Sequence, residues 1–192
     1  MHGSTASHQL HARAPTTLRI GFTALIAVAE TAHLAWEHLH GGIVSHHLLN
    51  DPALPALWNG WGIVVLPVLA WIASSRAFQR TDGAWRLHRP FALRLLSALL
   101  AGLALSVAFS FGREDIAGMV LVGLLLSALA VRVYRVEYLL GFVLGMAFTF
   151  GALLTTLIGG CIALLSAAVW LGVWPLLARL LRKAPASPSA PR

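Results

Sequence analysis

Charged side chains are scarce in this chain: 11% of its 192 residues are Asp, Glu, Lys or Arg, against about a quarter in a soluble domain. Cysteine is scarcer still. The single thiol, Cys161, can form neither an intrachain disulfide nor a CxxC redox pair nor a thiolate metal cluster, so cysteine usage says nothing of the redox compartment. The period-2 alternation of an outer-membrane barrel is missing. So are a G-x-S-x-G nucleophile motif and the internal repeat of an inverted-repeat transporter. The net charge of +7 does not indicate a nucleic-acid partner. The basic residues fall in short loops between apolar runs, where they set orientation.

What is present is apolar: 58% of the chain is hydrophobic, and long apolar runs recur along almost all of it. That pattern implies an all-α, polytopic membrane protein whose partner is the lipid bilayer. The runs divide into a six-transmembrane-helix bundle, with spans at 17–40, 52–74, 91–111, 116–134, 137–158 and 161–181. Residues 1–16, with His2, His8 and His11, read as a flexible polar tail, and the 184–192 stretch "APASPSAPR" as a disordered one.

Several boundaries have local signals. Gly41 and Gly42 end span one as a C-cap. Residues 20–26 followed by Ala27-Val28-Ala29 have the form of a cleavable leader, but apolar character continues to Trp36 and favours a full span. Asp51 is an N-cap and Pro52 a first helical residue for span two, and Pro67 predicts a kink near Ile63. Residues 75–90 read as an arginine-rich loop. The run 137–181 is too long for one span and is divided at Gly159-Gly160. Gly141 and Gly145 form a GxxxG on span five, a signal of close helix packing within the chain or in a homodimer.

Six spans place all the basic residues except Arg113 on one side. By the positive-inside rule the protein is a multi-pass plasma (inner) membrane protein with both termini cytoplasmic. Trp36, Trp58 and Trp61 suit an interfacial belt at the outer face. Trp71, Trp85, Trp170, Trp174, Tyr134 and Tyr138 suit the inner one.

This topology puts one unusual stretch, "ETAHLAWEHLHGGIVSHHLLND" (residues 30–51), at the extracytoplasmic side. On a helix Glu30, His33, Glu37 and His40 share one arc of about 80°, and His38 leaves it. Two Glu-x-x-His pairs one heptad apart place carboxylates and imidazoles on adjacent turns, the spacing used in di-iron bundles. Glu30 lies about 15 Å along the axis from His40. An isolated carboxylate at that depth costs at least about 2.5–3.5 kcal/mol, so Glu30 is expected to be protonated, paired, metal-bound or hydrated. Glu30 and Glu37 are about 10 Å apart along the axis, too far for one ion to bridge, so a single site should use neighbouring turns. The expected metal ligands are His33, Glu37, His40, His46 and His47. The metal would be divalent Zn, Fe or Mn, because the donors are nitrogen and oxygen without thiolate. Asn59 is expected to hydrogen-bond a ligand imidazole. Spans three to six offer hydroxyls but no charged side chain at membrane depth.

Three functional classes follow. One is a membrane-embedded metalloenzyme, with Glu30 or Glu37 as catalytic general base or ligand and a lipid-like small molecule as substrate. A second is a metal-ion or proton transporter, disfavoured because polar residues occupy only the outer half. The third is a non-catalytic metal- or haem-binding or pH-sensing protein. Haem would need His46, His47 or a second protomer, since one helix face cannot supply both axial ligands.

Overall fold

The computed structural model describes residues 14–47, 52–81 and 83–183. The expected tails through residue 13 and over 184–192, and the Asp51 cap, lie outside these. The chain is mostly helical, with two short hairpins. Among the described residues four helices are long and apolar enough to cross a membrane: Thr16–Leu39, Asn59–Ala77, Arg89–Ser110 and Ala152–Arg182. Large apolar side chains such as Leu25, Val28, Met119 and Leu164 point outward, while Glu30, Glu37, Asn59 and Glu137 are buried. That distribution is inverted relative to a water-soluble bundle.

The first helix, α1 (Thr16–Leu39), matches its expected span and ends in a turn where Gly41 and Gly42 both adopt positive φ. The chain then forms a hairpin of β1 (Ser45–His47) and β2 (Ala56–Trp58). This moves the start of the second helix from residue 52 to a 3₁₀ turn at Asn59–Trp61 and then α2 (Gly62–Ala77). A helix begun at Pro52 would need the N–H of residue 55 for its first i→i−4 bond, and residue 55 is Pro. The expected loop at 75–90 holds a second hairpin, β3 (Phe78–Thr81) with β4 (Ala84–Leu87). The Asp82-Gly83 pair between two short alternating runs is its sequence signal.

Helix α3 (Arg89–Ser110) packs along α5 (Val136–Phe150), with α4 (Glu114–Ala130) between them in sequence. The GxxxG on α5 works within the chain. A Cβ on Gly141 would run into the Leu95 carbonyl, and one on Gly145 into the α3 backbone at Leu99 and Leu103. Gly102 returns the fit from α3, against the Phe142 carbonyl. Small residues thus let the two backbones approach closely, the packing mode of small-xxx-small helix pairs.

The last boundary corrects the sequence reading. Helix α5 ends at Phe150, and α6 (Ala152–Ala167) starts one residue later. The break is at Gly151, at φ 72° and ψ 154°, a conformation essentially confined to glycine. Gly159 and Gly160 lie inside α6. Gly159 serves packing, since a Cβ there would meet Leu139 and Phe142. A π-helical segment, Ala168–Val173, joins α6 to α7 (Trp174–Lys183).

Two clusters form the core. Leu66, Ala70 and Ala73 of α2 pack with Phe91, Leu140 and Val143. Leu105, Phe142 and Met146 pack with Ala117. Arg19 bonds Ser74 Oγ and the Trp71 carbonyl, which ties the start of α1 to the end of α2.

Candidate functional site

The polar stripe of α1 faces α2 and the junction of α5 with α6. Glu30 and Glu37 are 4% and 6% exposed. Glu30 rests against Gly62, where a Cβ would collide with its carboxylate. His33, one turn on, lies between the two acids: Nδ1 is 3.5 Å from Glu30 Oε2 and Nε2 is 3.4 Å from Glu37 Oε1. Its ring is covered by Phe148, at a centroid separation of 5.0 Å.

Glu37 is held more tightly than the others. Asn59 Nδ2 donates to Oε1 at 2.8 Å, and the Val44 N–H donates to Oε2 at 3.3 Å. The Val44 carbonyl in turn accepts the Asn59 backbone N–H at 3.0 Å. One carboxylate therefore fastens α1, the turn after it and the start of α2 into a closed ring of hydrogen bonds. Asn59 is 2% exposed and backs onto Gly151, where a Cβ would strike its Oδ1. The positive φ that ends α5 thus also makes room for this ring.

The structure sorts the expected site residues. Glu30, His33, Glu37 and Asn59 come together. Asn59 bonds Glu37, however, not an imidazole. His40 turns away: its Nδ1 donates to the Trp36 carbonyl at 2.8 Å and its ring stacks on Trp36. His47, also exposed, donates to the Leu54 carbonyl. His46 is half-buried beside Phe150 and within electrostatic reach of Glu37. Among the described residues no three His, Cys, Asp or Glu side chains are gathered to hold one metal ion.

His46 has a pH-dependent consequence. Burial pushes its imidazole below the ordinary 6.5, and the Glu37 carboxylate opposes this more weakly. The unfolded chain therefore takes up this proton more readily than the folded one. The contribution of His46 to stability is complete above about pH 6.5 and is lost as pH falls through the lower folded value. Amide protection in the β1–β2 hairpin, measured against the intrinsic exchange rate at each pH, should fall over that window in the wild type and much less in His46→Gln. Equal loss of protection in both would remove His46 from the account.

A second buried charge lies at the opposite ends of these helices, and the sequence reading missed it. Glu137, at the start of α5, is 1% exposed. Its Oε1 accepts from Arg94 at 3.0 Å, with Arg135 at 3.9 Å, and Arg76 is 3.9 Å from Oε2. Its place at a span boundary beside Arg135 was the available signal.

Comparison with protein-family models, with curated proteins and with solved structures gave no match, so the site's chemistry must speak for itself.

Proposed function

We propose that this is an integral membrane protein that binds protons at a buried Glu30–His33–Glu37 centre and responds to the pH on the extracytoplasmic side. The observation that carries the reading is His33 lodged between two buried carboxylates at 3.5 and 3.4 Å inside an apolar helix. Three ionisable groups lie in contact there, and intramembrane ionisable groups mark function by default. With all three charged the centre carries one net negative charge, and one further proton neutralises it. Because Glu37 also holds Val44 and Asn59, proton uptake is coupled to how the outer ends of α1 and α2 are joined. Binding is favoured over conduction: between Arg19 and Glu30, helix α1 has Thr23 as its one polar side chain. The orientation is the one expected from sequence, with both termini cytoplasmic in the plasma (inner) membrane. Its support is the gathering of Arg19, Arg76, Arg94 and Arg135 at the bundle end away from this centre.

A second reading has an observation of its own. His33 Nε2 is buried without a hydrogen-bond partner. Its 3.4 Å separation from Glu37 Oε1 matches the spacing of about 3.3–3.4 Å between two ligand atoms on one tetrahedral zinc. Zn, Fe or Mn would then sit between His33 and Glu37 and would open the metalloenzyme or metal-transport classes.

One set of variants separates the two. In nanodiscs, infrared difference spectra taken across pH should show a carboxylic acid C=O band that is lost or shifted in Glu30→Gln and Glu37→Gln and displaced in His33→Gln. A band unchanged in all three defeats the proton reading. Elemental analysis showing about one equivalent of metal in wild type, absent from His33→Gln and Glu37→Gln, replaces it with the metal reading.

A further inference from the structure

At the arginine-rich end, two adjoining cavities differ sharply in character. One, of about 290 Å³, lies among α3, α4, α5 and α6 and is lined by side chains such as Ala98, Ala101, Leu124, Phe142 and Ile162. Its two serines are spent on their own helices: Ser97 donates to the Arg94 carbonyl and Ser127 to that of Leu124. The other, of about 330 Å³, is lined by Arg94, Arg132 and Arg135 with Trp170. Val131 and Tyr138 line both, so the two adjoin across these side chains.

The basic cavity has more positive charge than the chain neutralises. Among the described residues Glu137 is the one carboxylate close to Arg76, Arg94 and Arg135. Arg132 stacks over the Trp170 ring at 4.7 Å and has no acidic partner among the described residues. Trp170 adds an independent sign. Its indole Nε1 is buried with no acceptor, although buried donors are nearly always satisfied. It also belongs to the π-helical segment Ala168–Val173, a distortion frequent at functional sites. An apolar cleft adjoining a cavity lined by guanidinium groups calls for an amphiphile with an anionic, oxygen-rich head.

We infer that an anionic phospholipid occupies these two cavities, its phosphate held by Arg132 and Arg135 and one acyl chain seated in the cleft between α3 and α6. Acidic phospholipids are enriched in the cytoplasmic leaflet and bind basic pockets between transmembrane helices. The inference rests on the membrane reading but not on the Glu30–His33–Glu37 centre.

The test is lipid retention by full-length protein in nanodiscs of phosphatidylcholine containing a minor share of phosphatidylglycerol, read by native mass spectrometry. Wild type should retain phosphatidylglycerol over phosphatidylcholine. Arg132→Gln, which breaks no ion pair among the described residues, should weaken that retention roughly tenfold, the size of one lost charge-assisted bond. Ala101→Phe, which fills the apolar cleft and leaves every arginine in place, should weaken it as well. Excess inorganic phosphate should leave the lipid bound. Displacement by phosphate would show an anion site without a seated chain and overturn the inference, as would unselective retention by wild type or undiminished retention by Arg132→Gln. Failure of the membrane reading would look different: the protein would be recovered without detergent in the soluble fraction.

Discussion

Arg94→Met is expected to destabilise the bundle by about 3–5 kcal/mol, the cost of removing one partner from a buried ion pair. Arg94 makes the one short contact to Glu137, at 3.0 Å, whereas Arg76 and Arg135 stand at 3.9 Å. Without it a carboxylate that is 1% exposed keeps no direct hydrogen bond. The reverse change, Glu137→Gln, should cost less. It strands guanidinium groups that are 30%, 34% and 60% exposed, and water screens what they lose. Replacing both partners with apolar side chains, Arg94→Met with Glu137→Leu, should recover most of the loss, because no uncompensated charge is then left inside. Equilibrium unfolding in detergent measures all three. A double variant as unstable as Arg94→Met alone would show that the cost lies in packing and not in the stranded carboxylate.

The contrast between the two buried acids of α1 and Glu137 shows what sequence could reveal. Glu30, His33 and Glu37 lie on one helix, so the 3.6-residue period alone aligns them, and α1 ends within a residue of its expected limit. Asn59 was expected beside this stripe from a span begun at residue 52, whereas the helix itself opens at Asn59. Glu137 draws its partner Arg94 from 43 positions away, and no local period reports that contact. His40 misled for a related reason. Phase put it on the stripe, but the helix ends there, and its ring stacks on Trp36. The glycines were ambiguous in a different sense. Glycine serves both positive φ and close packing, and sequence does not say which. Gly159 proved to be packing and Gly151 the turn. The two hairpins were obscured by an apparently good N-cap at Asp51-Pro52 and by a polar composition at 75–90 that also fits a plain loop.

Gly151→Ala should be the variant that links fold to site, with a loss of about 3 kcal/mol or more. Its first component is backbone strain. At φ 72° and ψ 154° an L-residue pays about 1–3 kcal/mol. The second is local collision: the new methyl would strike Asn59 Oδ1. Asn59 can retreat only by giving up its 2.8 Å bond to Glu37, a bond to a charged group worth about 1.5–3 kcal/mol. The two components can be separated. Asn59→Ala removes the collision and the bond but leaves residue 151 unstrained. Adding Gly151→Ala to Asn59→Ala should therefore cost the strain alone, less than Gly151→Ala costs in the wild type. If the two changes instead add within about 0.3–0.5 kcal/mol, as independent sites do, Gly151 and Asn59 are not coupled. The pH-dependent carboxyl band should also move in Gly151→Ala, although residue 151 touches neither acid, because the ring through Asn59 is what holds Glu37 against His33.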